Sequence, residues 1–168
     1  EVIDEDGWFH TGDMGILNEY NQLIITGRLK NLFKTSGGKY INPELIERKI
    51  VASPFFEQAV VVGENQKFAG AIILPDFNFM KGWCQRHDVE YTTSRELLKN
   101  PNILKRFAKE INKINGTLGE TEKIKKYEFV ADEWSMATGI LTPTLKVKRK
   151  VVMNRYHDLI DRMFAQKD

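Results

Sequence analysis

Asp13, Arg28 and Lys146 carry side chains of types that can handle a ribose or a phosphate, and Ser36-Gly37-Gly38 is a loop that can let a ligand approach the backbone. An ionised carboxylate such as Asp13 has two acceptor oxygens and can take both hydroxyls of a ribose cis-diol, with Gly12 leaving room for the approach. Arg28 offers several donors in a fixed plane, which suits ribose or phosphate oxygens. Lys146 is a point charge on a flexible stem, in the run Leu145-Lys146-Val147-Lys148-Arg149-Lys150. Gly37 and Gly38 lack Cβ atoms and permit positive φ. Each candidate has a plainer alternative, and taken singly the plainer one is commoner. Thr11-Gly12-Asp13 can be an Asx-turn, and Arg28 a surface arginine after a strand. The basic run can be a solvated face, and the glycine pair a hairpin turn.

Other chemistry finds less support. His10, His87 and His157 are too scattered for a metal site, and none is proposed. Cys84, beside Trp83, reads as a small packing residue. Glu44 and Glu47 share a helix and read as surface or capping charges. There is no paired-carboxylate or Ser-His-Asp arrangement.

The elements that must carry these residues follow from periodicity and turn chemistry. Residues 14–17 and 23–26 read as short strands joined by the turn Asn18-Glu19-Tyr20-Asn21. Residues 31–34 and 39–41 can pair around the glycines. Asn42 caps a helix over 43–52, with Pro43 in its first turn and Glu44 at the positive end of its dipole. The β-branched runs 58–63 and 69–74 predict adjacent antiparallel strands, covered on at least one face. Helices are expected over 77–87, over 94–99 with Ser94 as cap, and over 101–115. The last shows Ile103, Leu104, Phe107, Ala108, Ile111 and Ile114 on one apolar face. A basic connection over 121–126 leads to a strand over 127–131. A loop over 135–144 and one final helix over 150–166 complete the chain. The expected fold class is α+β: a small antiparallel or mixed sheet packed with helices, preceded by a β-hairpin that belongs elsewhere.

Composition bounds the function. A length of 168 residues suits one compact domain with an extra element. A net charge of +2 is too small to argue for a nucleic-acid partner. One cysteine excludes an intramolecular disulfide and fits a reducing compartment. No apolar run is long enough to span a bilayer as a helix. The acidic start, without methionine, reads as a piece of a longer protein.

Three longer strings reverse the balance between the candidates and their plainer alternatives. They are Gly7-Trp8-Phe9-His10-Thr11-Gly12-Asp13, then Gly27-Arg28-Leu29-Lys30-Asn31 running on to Ser36-Gly37-Gly38-Lys39-Tyr40-Ile41-Asn42-Pro43-Glu44, then Leu141-Thr142-Pro143-Thr144-Leu145-Lys146-Val147-Lys148-Arg149-Lys150. In this order they resemble the AMP-forming acyl-CoA synthetases of the adenylate-forming superfamily, and the third resembles the long-chain fatty-acid branch. The resemblance covers essentially the whole chain, but only the C-terminal part of such an enzyme. It implies that residues 1–28 end a large N-terminal domain, 29–31 form a hinge at Lys30, and 32–168 form a mobile lid. It implies that Asp13 and Arg28 bind the ribose of ATP or AMP. Lys146 would stand between the fatty-acid carboxylate and ATP, offsetting their repulsion as pyrophosphate leaves. After the lid rotates, Ser36-Gly37-Gly38 would line the tunnel for the pantetheine arm of coenzyme A.

The implied partners are a long-chain fatty acid, coenzyme A and the upstream domain of the same chain, with the Mg2+ ligands lying upstream too. The implied place is cytoplasmic, with peripheral contact to a membrane left open. Leu145 departs from the glycine that most of the superfamily has there, and Arg149 matches an arginine read as loop-anchoring. Alone, the fragment is expected to be inactive. Two alternatives remain: an adenylating enzyme that delivers its acyl group to a carrier-protein thiol, and a non-catalytic binding module.

Overall fold

The computed structural model describes residues 3–165; the first two residues and the expected end of the last helix at Gln166 lie outside them. β1 (Asp13–Leu17) and β2 (Leu23–Arg28) form an antiparallel hairpin. Its turn closes because Asn18 Oδ1 accepts from the amides of Tyr20 and Gln22, each at 2.9 Å. A 3-10 turn over Leu29–Asn31 leads to a second small hairpin, β3 (Phe33–Lys34) and β4 (Tyr40–Ile41). α1 (Pro43–Val51) follows, with Asn42 accepting from the Leu45 amide as its cap.

β5 (Phe56–Val62) and β6 (Ala69–Pro75) pair antiparallel as expected. α2 (Phe77–Arg86) is capped by Asp76, α3 (Ser94–Leu97) by Thr93, and α4 (Pro101–Asn115) by Asn100. Thr93 takes the capping role expected of Ser94: its hydroxyl accepts from the Glu96 amide, which puts Ser94 inside the helix. β7 (Ile124–Phe129) then joins β6 in parallel. It starts three residues before the expected 127, because Lys125 and Lys126 masked the beginning of a strand. On the outer edge of the order β5-β6-β7, long cations are well tolerated.

α5 (Arg149–Arg155) and α6 (His157–Ala165) replace the single final helix expected. The break falls at Tyr156, with φ −111 and ψ 22. Its hydroxyl accepts from Trp134 Nε1 at 3.0 Å and reaches Asp132 Oδ2 at 3.0 Å, so tertiary contacts hold this residue where local propensity would continue the helix.

The three-stranded sheet separates two cores. Ala59, Val61, Ala71 and Ile73 face Ile46, Ile50, Met80, Phe107 and Ile111, under α1, α2 and α4. Val60, Val62, Ile72 and Leu74 face Trp134, Ile140, Val152, Tyr156 and Met163, under α5, α6 and the segment before them. Strand β6 is buried at every position, so it is covered on both faces. Leu104 and Ala108 depart from the expected core face of α4: Leu104 is 37% exposed, Ala108 is half-buried, and both border a surface groove.

Candidate functional site

The hairpin brings the first two candidates together. Asp13 opens β1 and Arg28 closes β2, and the two are direct cross-strand partners. Arg28 Nε lies 2.8 Å from Asp13 Oδ1, so guanidinium and carboxylate hold each other at the strand ends. Both line a cleft of about 1100 Å3 between the hairpin, α1 and the segment from Leu145 to Val151.

Lys146 lines the same cleft. It is carried on a narrow loop: Leu141 and Val147 form an isolated antiparallel bridge, the Leu145 amide donates to Thr142 O at 2.9 Å, and the Thr142 amide donates to Lys146 O at 2.9 Å. The Lys146 amide donates to Thr142 Oγ1 at 3.0 Å. Leu145 has φ +58. This is the left-handed position of a short hairpin loop, where glycine is the ordinary choice. The departure noted in the sequence therefore sits at a strained residue.

Arg149 anchors this loop. Its Nη2 donates to both oxygens of Glu47, at 2.7 and 2.8 Å, and its Nη1 donates to Val61 O at 2.7 Å. Glu47 Oε1 also accepts from the Val61 amide at 2.6 Å. Glu47 is thus no free surface or capping charge. Burial pushes its carboxyl up, and Arg149 and the Val61 amide pull against that. One signal in the sequence could have shown this: Glu47 lies four residues after Pro43 and three before Ile50, both buried, on the inward border of α1. Glu44 does stay near the surface, where it accepts from the Asn31 side chain.

Two further contacts escaped sequence reasoning. Arg48 Nη1 donates to Ile25 O at 2.8 Å, and Asn42 Nδ2 donates to Thr26 O at 3.2 Å. Both tie α1 to the hairpin.

The other candidates lie apart from the cleft. Lys30 is an exposed residue of the 3-10 turn. Ser36, Gly37 and Gly38 form the exposed tip between β3 and β4. Of the glycine pair only Gly38 has positive φ, at +77. A Cβ on Gly37 would meet nothing nearer than Thr35 Oγ1 at 4.0 Å, so the tip's backbone is open to approach. Buried Thr35 knits this tip, its amide donating to Lys39 O and its Oγ1 accepting from the Lys39 amide.

The remaining groups have structural roles. His10 Nε2 lies 2.9 Å from Asp4 Oδ2. Cys84 is buried, and burial pushes its thiol up, the reverse of what a nucleophile needs. Among the described residues no three His, Cys, Asp or Glu side chains gather to hold a metal ion. Of the carboxylates on the cleft, Asp13 and Glu47 are ion-paired with Arg28 and Arg149 and Glu44 accepts from the Asn31 side chain, and the three do not gather into a cluster that fits Mg2+. Nor is any helix of the described residues long and apolar enough to cross a membrane.

Comparison with known proteins gives this geometry a context. Residues 31–168 match the family model described as the AMP-binding enzyme C-terminal domain. A long-chain-fatty-acid–CoA ligase of Mycobacterium tuberculosis is 37% identical over 160 residues, covering 95% of this chain and 27% of that protein. The peroxisomal long chain acyl-CoA synthetase 6 of Arabidopsis thaliana is 31% identical over 173 residues, covering 99% of this chain and 24% of the relative. The chain thus spans about a quarter of the length of these relatives. Among solved structures, the adenylation domain of a carboxylate reductase from Mycobacterium chelonae superposes with a TM-score of 0.75 at 18% identity, over 98% of this chain and 24% of that one. The corresponding domain from Segniliparus rugosus, in complex with AMP and a carboxylic acid, gives 0.74 at 23% identity, over 98% and 24%. At these identities the two structures speak for the fold.

Proposed function

Because the chain belongs to the family of AMP-binding enzyme C-terminal domains, we propose that it works as the lid of an AMP-forming long-chain fatty acid–CoA ligase, supplying Lys146 to one half-reaction and the Ser36-Gly37-Gly38 tip to the other. The single observation that carries the reading is that Lys146 shares one cleft with Asp13 and Arg28, while the tip lies elsewhere.

In the first half-reaction a fatty-acid carboxylate oxygen attacks the α-phosphorus of ATP, and the bond to pyrophosphate breaks. Asp13 takes the ribose hydroxyls, and Arg28 adds donors to ribose or phosphate oxygens. Lys146 offsets the repulsion between the two anions and stabilises the charge that develops at the α-phosphate. In the second, the coenzyme A thiolate attacks the acyl carbonyl and AMP leaves. The lid turns about Lys30, Lys146 withdraws, and the open backbone at Gly37 and Gly38 meets the pantetheine arm.

Residues 1–28 would then be the end of the large domain. The exposed Ile16, Leu17, Leu23, Ile24, Ile25, Trp8 and Phe9 suit burial against its missing remainder. The Mg2+ ligands would lie in that remainder, and a cytoplasmic protein touching a membrane that stores its amphiphilic substrate fits the same scheme.

The test uses the full-length enzyme that carries this chain. Lys146→Ala should abolish ATP–pyrophosphate exchange with palmitate yet retain thioester formation from supplied palmitoyl-adenylate and coenzyme A. Exchange at full speed in this variant would end the proposal. Offering a holo carrier protein in place of coenzyme A tests the alternative acceptor.

A further inference from the structure

Glu47 and Arg149 form a largely buried ion pair on the cleft that the reaction scheme leaves unused. We propose that they are positioning residues for Lys146, acting as one clamp that fixes the lysine loop in the state that makes the adenylate. This rests on the role proposed above for Lys146.

The geometry is closed on itself. Arg149 Nη2 reaches Glu47 Oε1 and Oε2 at 2.7 and 2.8 Å, its Nη1 reaches Val61 O at 2.7 Å, and the Val61 amide returns to Glu47 Oε1 at 2.6 Å. β5 is the outer strand of its sheet, so the Val61 amide and carbonyl on its open side would lack a strand partner. The ion pair supplies both bonds and ties α1, β5 and the start of α5 at one point. Both side chains are mostly buried, at 17% and 28% exposure. A bidentate pair in that setting has one strongly preferred geometry.

Arg149 stands three residues after Lys146. Between them Val147 packs on the second core, and the Lys148 amide donates to Ile140 O at 2.8 Å. The backbone from Lys146 to Arg149 is therefore held along its length. A lysine has a long flexible stem, so only a fixed root can keep its charge within reach of the reacting phosphate. The clamp has a second effect. Glu47 lines the same cleft as Lys146. While Arg149 balances its charge and bonds to both of its oxygens, the carboxylate competes less for the lysine's ammonium.

The experiment compares Glu47→Gln, Arg149→Gln, Arg149→Lys and the double variant Glu47→Gln/Arg149→Gln in the full-length enzyme, with Lys146→Ala alongside. ATP–pyrophosphate exchange should fall roughly tenfold to a hundredfold in each Gln variant. The fall should lie in kcat, with KM for ATP within about twofold, since Asp13 and Arg28 are untouched. The double variant should be no worse than the worse single one, because the two residues act as a unit. Arg149→Lys keeps the charge but loses the fork, and should fall in between; it remains a fair test if the Gln variants do not fold. Thioester formation from supplied palmitoyl-adenylate should stay near wild type in all of them. Equal losses in both half-reactions would mean that the pair only holds the fold, and would overturn the inference. So would exchange that stays intact in the folded clamp variants while Lys146→Ala loses it. If Lys146→Ala also kept full exchange, the role proposed for the lysine would fail first.

Discussion

Asn42 packs so closely on Gly27 that a Cβ at Gly27 would stand 2.8 Å from Asn42 Oδ1 and 2.9 Å from its Nδ2. The same amide does two jobs, accepting from Leu45 N as the cap of α1 and donating to Thr26 O on the hairpin. A glycine in the strand thus lets a helix cap reach the neighbouring element.

Gly27→Ala should push Asn42 out of both bonds. Loss of a cap costs about 1 kcal/mol, and the urea midpoint should fall by the corresponding amount, as it should for Asn42→Ala. Combining the two changes should add little to either. An unchanged midpoint in Gly27→Ala would show that the Asn42 side chain yields freely.

Leu145 holds φ +58 and is 62% exposed. The left-handed region costs a non-glycine residue about 1–2 kcal/mol, whereas glycine gives back roughly 0.5–1 kcal/mol through the entropy of the unfolded chain. Leu145→Gly should therefore raise stability slightly, by about 0.5 kcal/mol. Leu145→Val should lower it by more than about 1 kcal/mol, because a β-branched residue is a genuine outlier there. Opposite signs in the two urea curves are the observation to look for.

Lys30 lies in the 3-10 turn Leu29–Asn31, whose typical φ matches that of proline. In the full-length enzyme Lys30→Pro should leave ATP–pyrophosphate exchange near wild type, since Lys146 already shares the cleft with Asp13 and Arg28. Thioester formation from supplied adenylate should fall by about tenfold or more, because a fixed φ would resist the proposed turn of the lid. Equal rates in both half-reactions would remove Lys30 from the hinge.

Burial raises the Asp132 carboxyl, but hydrogen bonds from Arg95 and Tyr156, with the charges of Arg155 and Arg95, leave it below its ordinary value of 3.8. A depressed carboxyl contributes stability above its unfolded value and loses it as the pH falls through its folded one. The difference in melting temperature between the natural protein and Asp132→Asn should thus be full at neutral pH and shrink below about pH 3.8. A difference that does not change with pH would show that the contact works by shape and not by charge.

Much of the scaffold could be read directly. Asn42-Pro43-Glu44 marked the start of α1, and the β-branched runs gave β5 and β6. Alternation and helical spacing are local patterns that burial on one face imposes, so they survive in a single sequence. The polar network around Tyr156 did not announce itself, because Trp134 lies 22 residues away and breaks a helix that every local preference would continue.

The site divides along the same line. Residue types offered Asp13, Arg28, Lys146 and the loop glycines as candidates, and only the resemblance of the longer strings raised them above their plainer alternatives. Those strings placed Arg149 as an anchor but left its partner unknown. Glu47 is 102 positions away, and its place on the inward border of α1 marks it for partial burial without naming the partner. Folding decides that, because it brings the open edge of β5, the inward border of α1 and the start of α5 to one point. There the loss of water makes an unpaired charge costly and a paired one specific.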